Sequence, residues 1–144
     1  FPPSKMVDGI LIPTRFLCSL GHLTAVIMLL YTRDNNVLAS LPEVYTTSDM
    51  TYMDNQLWTG IVASLVCFAV ELMGLFGGFS LFLPVFNAAY IICHFLGGVL
   101  CCWFMLDEWY YFSYWYIFVF FSLIPALLEI VAILRIFLCK VVQY

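Results

Sequence analysis

The chain has 144 residues, 65% of them hydrophobic and only 10% charged, with a formal net charge of −4. A soluble domain carries roughly 45–50% apolar and about 25% charged residues, and a chain this short has too much surface to hide the excess from water. Composition therefore excludes a soluble globule, a disordered chain and a nucleic-acid binder built on a basic patch, and places the chain in a bilayer.

Crossing a membrane takes about 20 apolar helical residues, and four stretches qualify. The first runs from Pro13 to about Tyr31. Its apolar run is too long, and lacks the following cleavage site, for a signal peptide. An outer loop at 33–56 follows, with Arg33–Pro42 reading as irregular chain. Thr47 or Ser48 before Asp49 is the candidate N-cap of a second helix, which rises above the membrane before entering it near Leu57 and ends near Phe76. A short glycine-rich link (Gly77–Ser80) leads to the third span, 83–106, and an aromatic link (Asp107–Phe112) to the fourth, 113–139. Pro13 and Pro84 suit a first helical turn. Pro125 removes a backbone hydrogen bond and predicts a kink near Phe121–Ser122. The fold class is all-α: one polytopic domain over 1–144, a compact four-helix bundle with short loops. The chain opens on Phe1 rather than Met, and a short segment is expected before it.

Lys and Arg near helix ends set orientation. An even span count puts both termini on one side, with Lys5, Arg15, Arg135 and Lys140. The other side has Arg33 alone among many carboxylates. This predicts cytoplasmic termini. Trp58, Trp103, Trp109 and Trp115 fall near the opposite interface as an aromatic belt, with a second reading as a protein-binding patch.

Helices in lipid associate through small residues. The second span sets Gly60, Ser64, Cys67, Glu71, Gly74 and Gly78 in one heptad-like stripe. The third has Ala89, Cys93, Gly97 and Cys101 at four-residue spacing, with His94, Gly98 and Cys102 beside them. Arg15, Ser19, His22 and Ala25 share a face of the first span, and Ser122, Ala126, Glu129 and Ala132 a face of the fourth. At about 1.5 Å per residue, Glu71 lies about 21 Å and Glu129 about 24 Å from their points of entry, and Arg15 only a few Å from its own. Arg15 is the expected partner of one of the two carboxylates. His22 and His94 lie near mid-membrane. Intramembrane ionisable groups face the interior or snorkel, and Arg135 is assigned to snorkelling. Arg15, Glu71, Glu129, His22 and His94 are read as a structural polar clamp.

Two histidines on separate helices do not form a metal box, and adjacent Cys101 and Cys102 are not a Cys-x-x-Cys redox pair. The six cysteines, including Cys18 and Cys139, read as small packing residues, with acylation of the two near helix ends as a weaker alternative. No catalytic set, cofactor or metal is expected. The alternative in another class is a small channel, transporter or lipid-handling protein using Glu71, Glu129, His22 and His94.

Several blocks resemble a known family: Ile12–Leu17 with Gly21–Leu23, Tyr31–Asn36 with Ser40–Pro42, Phe68–Gly74, Tyr114–Phe121 and Pro125–Glu129. Together they are similar to the transmembrane protein 107 family of the ciliary transition zone, over nearly the whole chain. The resemblance implies four spans with cytoplasmic termini and no enzymatic activity. It implies a scaffold in the Meckel-syndrome module that helps gate ciliary membrane composition and supports ciliogenesis and Hedgehog signalling. The partners it implies are tectonics, B9-domain proteins and other Meckel-module transmembrane proteins, together with membrane lipids and no nucleic acid.

Overall fold

A computed structural model describes residues 3–78, 80–81 and 84–139, with side chains from Gly9 to Phe137. The start of the third span at Leu83 and the basic Lys140 lie outside the described residues, and the Lys5 and Cys139 side chains are outside the described set. Helix α1 is Pro3–Ser40, α2 Thr47–Phe76 and α3 Pro84–Leu106. The fourth helix begins with a 3-10 turn at Tyr111–Ser113 and joins α4 (Tyr114–Phe118), a π turn (Val119–Leu123) and α5 (Ile124–Cys139). All four are long and apolar enough to cross a membrane, so this is a multi-pass membrane protein.

Several boundaries differ from the sequence reading. Pro13 lies inside α1 rather than in its first turn, and α1 continues through Arg33–Ser40, the segment read as irregular. That stretch is polar because it leaves the hydrocarbon, and a helix above the membrane needs no apolar face toward lipid. Its inward residues do have partners. Asn36 is fully buried, its Nδ2 donating to the carbonyls of Phe104 (2.7 Å) and Trp109 (3.0 Å) at the end of α3. Ser40 Oγ accepts from the Tyr111 backbone N–H. The loop is thus 41–46, not 33–56.

The N-cap of α2 is Thr46, one residue before the expected position. Its hydroxyl accepts from the Asp49 N–H while the Asp49 carboxylate accepts from the Thr46 N–H (2.9 Å). This capping box needs its acidic residue at the third helical position, so Asp49 fixes the cap at Thr46. Gly78 follows α2 with φ +75, a left-handed turn position that suits glycine. It ends the helix and is not in the packing stripe. Where a kink is expected, the helix has a π turn, which ends two residues before Pro125. A π turn and a proline are both established causes of helix bending.

α1 and α3 run side by side in parallel and form the largest helix contact. Arg15 meets Asn87, His22 meets His94, and Asn36 meets Phe104, in ascending order on both helices. Apart from Asn36, the end of the bundle away from the termini is largely apolar inside. Val26, Leu29, Leu57, Ile61 and Phe104 are completely buried there. One polar pair crosses that layer: Ser64 Oγ and Tyr114 Oη, 2.8 Å apart, with the Tyr114 ring against Gly60.

Candidate functional site

Among the described residues, the buried arginine, glutamates and histidines lie in the half of the bundle nearer the termini. Each residue reaches the interior through the four-residue spacing that puts one helix face inward. On α1, Arg15, Ser19, His22 and Ala25 are all buried; on α2, Gly60, Ser64, Cys67, Glu71 and Gly74; on the fourth helix, Ser122, Ala126, Glu129 and Ala132.

On α3 the buried face is Asn87, Tyr90, His94, Gly97, Cys101 and Phe104. Ala89 and Cys93, expected in the seam, are only partly buried. The stripe Ala89–Cys93–Gly97–Cys101 turns away at its lower end because Asn87 and Tyr90 are drawn in by Arg15. Neither residue stood out in the sequence. A single Asn or Tyr in an apolar run carries no periodic signal.

Arg15 is 1% exposed and uses its guanidinium on two helices and the link between α2 and α3 at once. Nη1 donates to Ser80 Oγ (2.7 Å) and Asn87 Oδ1 (2.9 Å), and Nη2 to Glu129 Oε2 (2.9 Å). Its Cζ stands 3.8 Å from the centre of the Tyr90 ring, a cation–π geometry. Of the two carboxylates considered for Arg15, Glu129 is the direct partner.

Glu71 binds elsewhere. Its Oε2 lies 2.6 Å from His94 Nε2, and His94 Nδ1 lies 3.3 Å from His22 Nδ1. Phe68 closes the ring cluster, edge-on to His22 at 5.0 Å. The five sequence-singled residues thus form two adjoining sets, Arg15–Glu129 and Glu71–His94–His22.

Two glycines make room for them. A methyl on Gly74 would overlap the Glu129 carboxylate, and one on Gly97 would lie 2.5 Å from His22 Cε1 and 2.8 Å from Phe121 Cβ. Gly98, one residue on, has more space: its nearest neighbour would be the His22 backbone at 3.4 Å. Four polar atoms at this level are buried without a hydrogen-bond partner among the described residues: His22 Nε2, Glu71 Oε1, Glu129 Oε1 and the Tyr90 hydroxyl.

Outside the bundle, between α1 and α3, lies an open groove of about 550 Å³ walled by Gly21, Phe95, Gly98, Cys102 and Trp103, with His22 and His94 at its inner edge. Trp58 and Trp103 are about half exposed. Trp109 and Trp115 are partly buried against Phe104 and Phe118, so only part of the expected belt is free. Arg33 pairs with Asp54 at 2.8 Å and covers the Trp58 ring. Arg135 is exposed on α5. Cys67 and Cys101 are buried, Cys18 and Cys93 partly so, and Cys102 is exposed.

The family model for transmembrane protein 107 matches residues 11–133. The chain is 38% identical to transmembrane protein 107 of Homo sapiens and 37% to that of Mus musculus, each over 127 residues, covering 88% of this chain and 91% of the relative. It is 32% identical to that of Danio rerio over 124 residues, 86% of this chain and 92% of the relative. No solved structure matches.

Proposed function

We propose that this chain, which belongs to the transmembrane protein 107 family, is a non-enzymatic membrane scaffold of the ciliary transition zone. In this reading both termini face the cytoplasm. The protein helps assemble the Meckel-syndrome module and so gates which membrane proteins enter the cilium. Its partners are other transition-zone proteins: tectonics, B9-domain proteins and further transmembrane components, with the surrounding lipids.

The observation that carries the reading is the interior. The charged groups converge on protein partners, and the layer beyond them is closed by five completely buried apolar residues. Such an arrangement satisfies expensive groups by pairing and holds four helices in fixed relation, as a scaffold requires. The long polar ends of α1 and α2 stand clear of the hydrocarbon and supply a surface for neighbours.

The experiment is rescue in ciliated cells. Tagged wild-type chain is expected to concentrate at the base of the cilium and co-purify with transition-zone proteins. A uniform plasma-membrane distribution, without such neighbours, would overturn the proposal. The groove beside His22 and His94 favours a second reading as a lipid-handling protein. Lipid transfer or ion flux by the purified chain in proteoliposomes supports that reading and counts against a scaffold alone.

A further inference from the structure

Charge arithmetic inside the bundle leaves a remainder. Among the described residues the buried set contains one guanidinium, Arg15, and two carboxyls, Glu71 and Glu129, exposed 1%, 4% and 0% respectively. With neutral imidazoles and both carboxyls ionised, this region carries one uncompensated negative charge inside a membrane-spanning bundle. A buried charge without a partner is among the most expensive arrangements a membrane protein can hold.

Glu129 is accounted for by its 2.9 Å contact with Arg15. The excess therefore belongs to Glu71. The groups that face Glu71 are Arg15 from α1, Cys67 from its own helix, Tyr90, Cys93 and His94 from α3, and Glu129 from α5. Arg15, the one cation among them, is already committed to Glu129, Ser80 and Asn87.

We propose that the chain Glu71–His94–His22 is a proton-binding site that holds one exchangeable proton in the folded protein, and that this proton locks α1, α2 and α3 together. The geometry provides three places for it. The proton resides on Glu71, which then donates to His94 Nε2; on His94, whose two N–H groups then point at Glu71 and His22; or on His22, with His94 donating to an ionised Glu71. Each arrangement keeps both observed contacts, 2.6 Å and 3.3 Å, and reverses only the direction of donation. His22 Nε2, at the end of this relay, has no hydrogen-bond partner among the described residues. The apolar layer beyond it keeps the proton from continuing across the membrane. The site thus stores a proton rather than conducting one. The proposal rests on packing and is independent of where in the cell the protein resides.

The sign of the pH effect follows. Above about pH 7.5 the unfolded chain holds Glu71 ionised and both imidazoles neutral, so the folded state binds one proton more than the unfolded one. The folded-to-unfolded ratio then falls up to tenfold per pH unit until the folded protein releases that proton, beyond which it is level; below about pH 6.5 the two unfolded histidines take up protons and stability falls on acidification as well.

The test uses the full chain in lipid nanodiscs. Nitrogen-15 NMR of the two histidines and carbon-13 NMR of Glu71 at pH 7 are expected to show one proton on the trio. The signature is a protonated carboxyl, a doubly protonated ring, or an average of these. Two neutral histidines beside an ionised Glu71 would overturn the proposal, whether or not any variant folds. Equilibrium unfolding from pH 7.5 to 9, above the titration of the unfolded histidines, is then compared with Glu71→Gln, which is neutral without a proton. Wild type is expected to lose stability with rising pH, and the variant to be flat and the more stable of the two at pH 9. A parallel pH response in both proteins, or a wild type that responds to sodium and not to pH, refutes proton storage. Proton flux through wild type refutes the sealed end of the site.

Discussion

Gly97 and Gly98 are neighbours in sequence with the same helix propensity, yet the structure gives them opposite tolerance to a methyl group. In each case Gly→Ala gains about 1 kcal/mol from reduced backbone freedom in a helix interior. At Gly98 the new carbon would meet the His22 backbone at 3.4–3.6 Å, an ordinary contact, so the gain is expected to survive. At Gly97 it would meet His22 Cε1 at 2.5 Å and Phe121 Cβ at 2.8 Å. The imidazole is held by His94, and Phe121 Cβ moves only with its helix. Relief requires a separation of about 0.6 Å between α3 and the fourth helix, and overpacking of this kind costs about 1–3 kcal/mol. Gly97→Ala is therefore expected to be less stable than Gly98→Ala by about 2 kcal/mol, roughly 30-fold in the folded-to-unfolded ratio. The assay is equilibrium unfolding of the purified chain in mixed micelles. A double variant with His22→Ala should recover part of the loss, since only the Phe121 contact then remains, and such coupling is expected of residues in contact. Equal stability of Gly97→Ala and Gly98→Ala would refute the close approach of α1, α3 and the fourth helix at this level.

Arg15→Ala leaves Glu129 buried without its cation, and a loss of about 3–5 kcal/mol is expected in the same unfolding assay. Arg33→Ala breaks a pair whose side chains are 26% and 31% exposed, so its cost should stay below about 1 kcal/mol. Thr46→Ala removes one half of the α2 capping box and should cost about 1 kcal/mol, seen as faster amide exchange confined to the first turns of α2. Asn36→Leu strips the donors from the carbonyls of Phe104 and Trp109, with an expected loss of about 1–3 kcal/mol and faster exchange where α3 ends.

The helices were legible because lipid imposes a simple rule. Bulky residues face out, and a narrow small or polar face turns inward. Reading that face at four-residue spacing picks out residues that are buried on α1, on α2 as far as Gly74, and on the fourth helix, though not bulky ones such as Leu29, Ile61 and Tyr114 that are buried beside them. Two kinds of feature escape the rule. The first is helix outside the bilayer: Arg33–Ser40 is polar for the same reason that a loop is polar, and the capped start of α2 shifted by one residue. The second is an isolated polar residue whose meaning depends on a distant partner. Ser80, Asn87 and Tyr90 acquire their role only from a guanidinium more than sixty positions earlier. The division of the clamp into two sets was hidden likewise, because depth along separate helices does not say which rotamer meets which.

The contact between Arg15 and Glu129 spans 114 positions of chain, and this separation bears on how the protein is made. At about 5–20 residues per second, Glu129 emerges roughly 6–20 s after Arg15. During that interval the first helix enters the bilayer with a bare guanidinium, His22 lacks His94, and only Arg15 lies shallow enough to reach water along its own stem. The newborn helix therefore keeps Arg15 at the water interface, and the buried cluster closes only when Glu129 arrives. Truncation anywhere before Glu129 would leave Arg15 there, exposed to membrane quality control.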